Sequence, residues 1–333
     1  MTHILTYAHK RPDLIRLQYE SIKKHIKSDY KYIVFNNSID SKENYDEIHN
    51  ICRELQVECV DIPKDSEVIN MTNRLGSMTH GYPNPNVACS YPIIWTFKKY
   101  VTDEKRVCIM DSDMFFIKDI NFDDLMGDKE VVAIPQYRAN HTIKYYWNAF
   151  ICMDLGKNPL LKELDWNFGA VHGTETDVGG FMNDFLKENY FDATYLHEYS
   201  IYELVKIDNN KQIHFIMNGN INYEMNLDDQ NNLKYFRHSG GDQYSPHRSF
   251  PHEEEHEDYS KFFKDKTLQI LEIFEKSGAE FPHPQHIAFI GHIDNSDFFI
   301  CHYKSGSNYL EFSTNEYNLK KTEALKKVLS YDK

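Results

Sequence analysis

The residues with the clearest chemical potential are two carboxylates separated by one serine, Asp111-Ser112-Asp113. This Asp-x-Asp directly follows the apolar run Val107-Cys108-Ile109-Met110 and precedes a second one, Met114-Phe115-Phe116-Ile117. Side chains at such spacing, delivered by the end of a buried strand, can converge on one ligand. Paired hard oxygens suit Mg²⁺ or Mn²⁺, and such an ion can bridge to the oxygens of a diphosphate. A late segment repeats the pattern of an apolar strand ending in a ligand: Phe298-Phe299-Ile300-Cys301 leads into His302, with Lys304 and Gly306 close behind. Imidazole is a suitable third ligand for manganese, and Lys304 can meet phosphate oxygens.

Further candidates lie between these two. Asn148 falls inside the aromatic and apolar stretch Tyr146 to Met153. Glu175-Thr176-Asp177-Val178-Gly179-Gly180 reads as the opening of a helix over 177–188. There Thr176 or Asp177 is a helix cap, or Asp177 and Glu175 are carboxylates set to deprotonate or position a substrate hydroxyl. Arg74, in a loop-like stretch, is an exposed arginine or a diphosphate contact.

The elements required to position these groups are legible as alternating strands and helices. Strands are expected over 3–7, 30–35, 57–62, 106–110, 131–135 and 144–153, and helices over 11–27, 45–55 and 87–101, with Pro92 in or before the first turn of the last. This order implies βαβ units and a largely parallel sheet. Residues 63–86 read as irregular, and 218–258 as polar and turn-rich. Strands over 213–217 and 298–301 and a helix over 315–329 complete the expectation. In a parallel sheet ligands collect beyond the carboxyl ends of the strands, which is where Asp111 and Asp113 fall.

Composition narrows the partners. The chain has 333 residues, 41 % of them hydrophobic, which allows a sizeable core. A formal net charge of −14 argues against nucleic acid and against anionic lipid, both of which need clustered Lys and Arg. An acidic protein that binds an anionic nucleotide needs a metal between them. The six cysteines form no Cys-x-x-Cys pair and read as buried thiols in a reducing compartment. No apolar stretch approaches the length of a membrane span and the start carries no leader-like run, so a cytoplasmic, untethered protein is expected. The acidic run 252–258 reads as a solvated face, His283 and His286 lack enough neighbours for zinc, and 237–242 reads as a loop able to act as a lid.

The stretch Arg106 to Met114 resembles the strand-plus-DxD signature of glycosyltransferases with the GT-A fold. The likeness extends over roughly residues 1–200 in element order. It implies an α/β fold: a GT-A-like, Rossmann-type mixed sheet with helices on both faces and a C-terminal elaboration. It also implies a division into a nucleotide-sugar-binding core over 1–217 and an acceptor-side extension over 218–333. The implied activity is transfer of a sugar from a nucleotide-sugar donor, expected to be a UDP-sugar, to a carbohydrate or other hydroxyl acceptor. By the same resemblance Asp111, Asp113 and His302 hold Mn²⁺ or Mg²⁺. Tyr7 and Asn37, at the ends of the first two strands, border the nucleotide with Ser112, and Arg74 and Lys304 screen the diphosphate. The segment around His302 is similar to the late His/Gly/Lys segment of family-8 enzymes. The one around Asn148 is similar to their Asn-Ala-Gly strand, where the Asn helps hold the donor sugar. A sugar nucleotidyltransferase would want a glycine-rich loop after the first strand, and Ala8-His9-Lys10-Arg11 has no glycine. A non-catalytic sugar-binding scaffold and a metallohydrolase are the other classes.

Overall fold

A computed structural model describes residues 1–9, 11–38, 41–63, 85–139, 142–200, 204–205, 212–217, 220–227, 233–236, 269–270, 272–280, 287–292, 298–303 and 315–331. The chain divides into two compact units, Met1–Met114 with Asp119–Leu196, and Phe115–Lys118 with His197–Lys333.

The first unit alternates strand and helix: β1 (Thr2–Ala8), α1 (Asp13–His25), β2 (Tyr30–Asn36), α2 (Lys42–Leu55), β3 (Glu58–Asp61), α3 (Pro85–Lys99) and β4 (Arg106–Met110). Then come the short helix α4 (Phe122–Met126), β6 (Val131–Arg138), β7 (Ile143–Asp154), the hairpin β8 (Gly169–Val171) and β9 (Thr174–Thr176), α5 (Met182–Glu188) and the start of β10 (Ala193–Ser200). Its strands lie in the order β3-β2-β1-β4-β7-β6-β10. The first four are parallel. β7 runs antiparallel to both neighbours, and β10 is parallel to β6. The sheet is thus mixed, with a parallel half whose chain reverses direction between β1 and β4.

Strand periodicity sends alternate residues to opposite faces. Leu5, Ile33, Phe35, Val107 and Ile109 share one buried cluster with Tyr91, Ile93 and Ile94 of α3. On the other face α1 buries Leu14, Ile15, Gln18 and Ile22, and the Tyr32 hydroxyl of β2 donates to Gln18 Oε1 at 2.8 Å. Helices therefore cover both faces, which is why β4 is apolar from Val107 to Met110 and those four residues are fully buried.

Several boundaries differ from the sequence reading, each for a physical reason. α2 starts at Lys42, because the Ser41 side chain caps it by accepting from the Asn44 N–H. Pro92 lies inside α3 and not in its first turn. A helix-interior proline leaves the carbonyl four residues earlier without its N–H partner. That carbonyl belongs to Ala88, and Asn37 Nδ2 donates to it at 2.9 Å. The helix expected from Asp177 begins at Met182. Gly179 has φ +91°, and a Cβ there would meet the Tyr146 carbonyl at 2.9 Å, so the chain turns before the helix can start. Cysteine burial also departs from expectation. All six thiols are free, but only Cys52, Cys108, Cys152 and Cys301 are buried, while Cys59 is half-buried and Cys89 exposed.

The second unit contains an antiparallel meander, β11 (Leu204–Val205), β12 (Gln212–Met217), β13 (Asn220–Leu227) and β14 (Leu233–Phe236). Part of the segment read as turn-rich is therefore strand; its polar residues satisfy their backbones by cross-strand pairing. A second antiparallel pair, β15 (Ala288–His292) and β16 (Phe298–His302), sets Ala288 against His302. The Ile117 N–H, just past β5 (Met114–Phe116), donates to the Phe299 carbonyl at 3.0 Å. The unit also contains the helix α6 (Asn315–Ser330). Among the described residues no helix is long and apolar enough to cross a membrane.

Candidate functional site

The candidate site is built at the carboxyl ends of β1 and β4, the point where the strand order of the parallel half reverses. Open α/β sheets leave a crevice there, because the connections from the two strands depart to opposite faces. β1 ends at Tyr7 and Ala8, and β4 ends directly before Asp111-Ser112-Asp113.

The turn carrying the two aspartates is fixed from three sides. The Asp111 N–H donates to the Ala149 carbonyl of β7 at 2.8 Å, and the Met114 N–H closes the turn on the Asp111 carbonyl at 3.0 Å. From α1, the fully buried Gln18 donates through Nε2 to the Asp111 carbonyl at 2.7 Å and to the Met114 carbonyl at 2.9 Å. The backbone of the turn is thus tied down at both ends.

Electrostatics show which carboxylates share that space. Crowding by protein and then the neighbouring Asp113 charge push the Asp111 carboxyl well above its ordinary range. Asp111 as a residue is half-buried. The Cys89 thiol of α3 is pushed up by packed protein and then by the charges of Asp111, Asp113 and Asp177. Asp111 and Asp113 of the turn after β4 and Asp177 after β9 therefore all act electrostatically on one thiol. Like charges held together in this way are the arrangement a divalent cation relieves, and an all-oxygen donor pair fits Mg²⁺ or Mn²⁺.

Asp177 is no helix cap, since α5 begins five residues later and Thr176 Oγ1 instead donates to the Gly169 carbonyl at 2.7 Å. Arg138 Nη2 at the end of β6 lies 3.3 Å from Asp177 Oδ2, and the Tyr145 hydroxyl accepts from the Asp177 N–H at 3.3 Å. The Arg138 guanidinium sits 5.6 Å from the Tyr145 ring centroid. Arg138 escaped the sequence reading, because nothing in its spacing marks an arginine that a strand end aims at a carboxylate.

Tyr7 packs one face of its ring on Phe35, with centroids 5.3 Å apart. Burial raises its hydroxyl above the ordinary range, and Asp111 adds to this. The hydroxyl lies beside that of Thr96, and neither completes a hydrogen bond of normal geometry. Asn148 is buried where β7 bulges: Ala133 faces Ile151 and Pro135 faces Tyr146, so residues 147–150 arch away from β6 next to the Asp111 turn. Asn37 holds the α3 backbone, as described above. Ser112 is half-buried in the turn. Glu175 points out from the β8–β9 hairpin and is exposed, opposite Ala170.

His302 belongs to the second unit. It is buried at the end of β16, with Nδ1 2.7 Å from Glu198 Oε1. A carboxylate on one ring nitrogen fixes the tautomer and orientation of the imidazole, an arrangement common behind metal-ligating histidines. Glu198, absent from the sequence reading, is the residue that supplies it. Arg74, Lys304, Gly306, the 237–242 loop, the acidic run 252–258, His283 and His286 lie outside the described residues.

No protein-family model matches the chain, and no curated protein matches it. Among solved structures it is similar to the galactosyltransferase LgtC in complex with donor and acceptor sugar analogs: 12 % identity over 59 % of this chain and 73 % of that one, TM-score 0.39. It is also similar to mouse xyloside xylosyltransferase 1, at 10 % identity over 59 % of this chain and 85 % of that one, TM-score 0.38. The mannosyltransferase Ktr4p from S. cerevisiae aligns at 14 % identity over 46 % of this chain and 56 % of that one, TM-score 0.31.

Proposed function

We propose that the chain is a GT-A-type glycosyltransferase that moves a sugar from a nucleotide-sugar donor, a UDP-sugar by preference, to a hydroxyl acceptor on a carbohydrate. One observation carries this reading. The Asp111-Ser112-Asp113 turn sits at the β1/β4 reversal point, anchored by Gln18 and Ala149, with its carboxylates sharing one neighbourhood with Asp177. The site's oxygen donors suit Mg²⁺ or Mn²⁺, which when bound supplies Lewis-acid neutralisation of diphosphate charge.

The chain's own residues take the remaining roles. Asp111 and Asp113 hold the cation. Tyr7, with Asn37 behind it, borders the nucleobase, and Ser112 faces the phosphates. Asp177, oriented by Arg138, positions the donor sugar or the acceptor hydroxyl, with Asn148 from the β7 bulge as a sugar contact. Exposed Glu175 is a weaker candidate for the same work. Arg74 and Lys304 are proposed as diphosphate contacts. The imidazole-ligand role of His302 is tested by its own variant, His302→Asn, scored by manganese stoichiometry. Residues 1–217 form the donor-binding core in this reading and 218–333 the acceptor side.

The test is a thermal-shift panel of UDP, GDP, CMP and their sugar conjugates, each with Mn²⁺ and with EDTA. A ligand that binds only the native state raises the melting temperature by mass action. A Mn²⁺-dependent shift with one nucleotide sugar, followed by acceptor-dependent donor turnover, supports the transferase. Absence of any shift would overturn it in favour of a non-catalytic scaffold, and turnover without acceptor would make it a hydrolase.

A further inference from the structure

A second set of metal-binding side chains lies in the seam between α2 and β3. His49 and Cys52 are three residues apart on α2, a spacing that places both on one helix face. Cys59 and Asp61 are two apart on β3 and share one strand face. The connection between them is short. Gln56 caps α2 in the left-handed region (φ 56°), and the Val57 N–H donates to the Cys52 carbonyl at 3.0 Å, folding β3 back along the helix.

The result is a convergence of unlike donors. One ligand atom from each of His49, Cys59 and Asp61 lies within 4.8 Å of the other two. His49 Nε2 and Asp61 Oδ1 are 2.8 Å apart, and the thiols of Cys52 and Cys59 lie close enough to shift each other's titration. Cys52 is buried with Ile48 and Ile51, which fixes the back of the site. His49 and Asp61 retain 29 % and 45 % side-chain exposure, which leaves an entry path from solvent.

The His49–Asp61 hydrogen bond satisfies both groups without a metal, so the donor types must decide the matter. A hydrogen-bonded pair needs no thiol beside it. An imidazole, a thiol and a carboxylate together form the set that zinc takes up and that Mg²⁺ does not. The Tyr45 hydroxyl already donates to Asp61 Oδ2 at 2.5 Å, which orients the carboxylate and presents Oδ1 to His49 and the shared space.

We propose that His49, Cys59 and Asp61 form a binding site for a zinc-class divalent cation, with Cys52 placed to add a second thiolate. Binding forms N–metal, S–metal and O–metal bonds and releases the Cys59 thiol proton to solvent. The site differs in chemistry from the all-oxygen pair at Asp111 and Asp113, so this chain would hold two cations of different hardness.

The full-length protein, stripped with chelator and kept reduced, is titrated with Co²⁺ as the spectroscopic probe and then back-titrated with Zn²⁺. The expected result is a thiolate-to-cobalt charge-transfer band saturating at one equivalent and quenched by zinc. It should persist in the Asp111→Asn/Asp113→Asn double variant. Cys59→Ser should remove at least half of the band, Cys52 supplying what is left, and His49→Ala or Asp61→Asn should weaken Co²⁺ affinity by about tenfold or more. His49 and Asp61 are partly exposed, so those two variants keep the fold, which a melt in EDTA verifies. No band in the parent protein, a band undiminished in Cys59→Ser, or one lost with Asp111 and Asp113 would each overturn the proposal.

Discussion

The side-chain amide of Gln18 donates to the backbone carbonyl of Asp111 at 2.7 Å, and the same nitrogen reaches the Met114 carbonyl at 2.9 Å. A helix residue thus holds both ends of the acidic turn from behind. Gln18→Leu would strand two inward-facing carbonyls, at a cost of about 1–3 kcal/mol each. Urea unfolding should show that loss, and Tyr32→Phe, which removes only the donor to Gln18 Oε1, should cost about 1 kcal/mol. Manganese affinity, read by electron paramagnetic resonance on the folded variants, should fall for Gln18→Leu and stay near the parent value for Tyr32→Phe.

Asp111 and Asp113 repel each other, and this makes a prediction of opposite signs. The Asp111 carboxyl is raised by burial and by Asp113. Its native form therefore holds its proton where the unfolded chain has lost it. In metal-free protein the stability from this group is full below the ordinary carboxylate pKa and declines as pH rises through the raised one. Asp111→Asn should accordingly melt higher than the parent at neutral pH in EDTA, while losing manganese binding. Asp113→Asn should also lose manganese affinity and turnover with the fold intact. Unchanged kinetics in Asp113→Asn would remove the metal assignment.

Arg138 and Asp177 form a partly exposed pair, with Asp177 47 % exposed, so solvent screening limits its worth to stability to under about 1 kcal/mol. Arg138→Ala should melt close to the parent and bind manganese normally. Donor turnover should nonetheless drop by about tenfold or more if Asp177 acts on substrate, since a misplaced carboxylate loses its alignment. Circular dichroism melts and steady-state kinetics on one preparation separate the two effects.

Asn37 and Pro92 are linked through the Ala88 carbonyl. Asn37→Ala should cost about 1–3 kcal/mol, because a carbonyl within the helix loses its only replacement donor. Pro92→Ala restores an N–H four residues after Ala88. In that background Asn37→Ala should cost markedly less, and a double-mutant cycle measures the difference. Equal costs in both backgrounds would show that the two residues are not coupled.

His25 gives a pH signature to the first unit. Burial lowers its pKa, opposed by the hydrogen bond to Asp119 at 3.1 Å. The unfolded chain therefore binds more protons than the native one. Stability from keeping His25 neutral is full above about pH 6.5 and is lost as pH falls from there through the lowered native value. His25→Gln should flatten that part of the pH–stability curve.

The amino-acid sequence by itself determined the parallel half of the sheet and the place of the acidic turn. Apolar runs of strand length, separated by helical spacing, have few ways to bury themselves, and the run ending at Met110 had to be central because it is apolar on both faces. Asp111 and Asp113 then fall at a strand end whatever the loops do. The antiparallel insertion of β7 was beyond such reading, since period-two patterning does not record strand direction. Of the meander over β11–β14 the sequence reading caught only the strand over 213–217, which is β12; the others were missed because polar strands gain their order from cross-strand pairing and not from an apolar face.

Only the tertiary structure decided which distant side chains support which. Gln18 looked like one polar residue on an amphipathic helix, and its meaning lies in two carbonyls 93 and 96 positions away. Asp177 read as either a helix cap or a site carboxylate, and Gly179, which turns the chain, leaves its carboxylate to Arg138. His49 and Asp61 carried no signal in the sequence, and Cys52 and Cys59 read only as buried thiols, until one left-handed residue, Gln56, folded a strand back against its helix. The reason is common to all three. Spacing along the chain dictates which face of an element a residue occupies, whereas hydrogen bonding and ligation depend on where that face meets another element, and packing sets that.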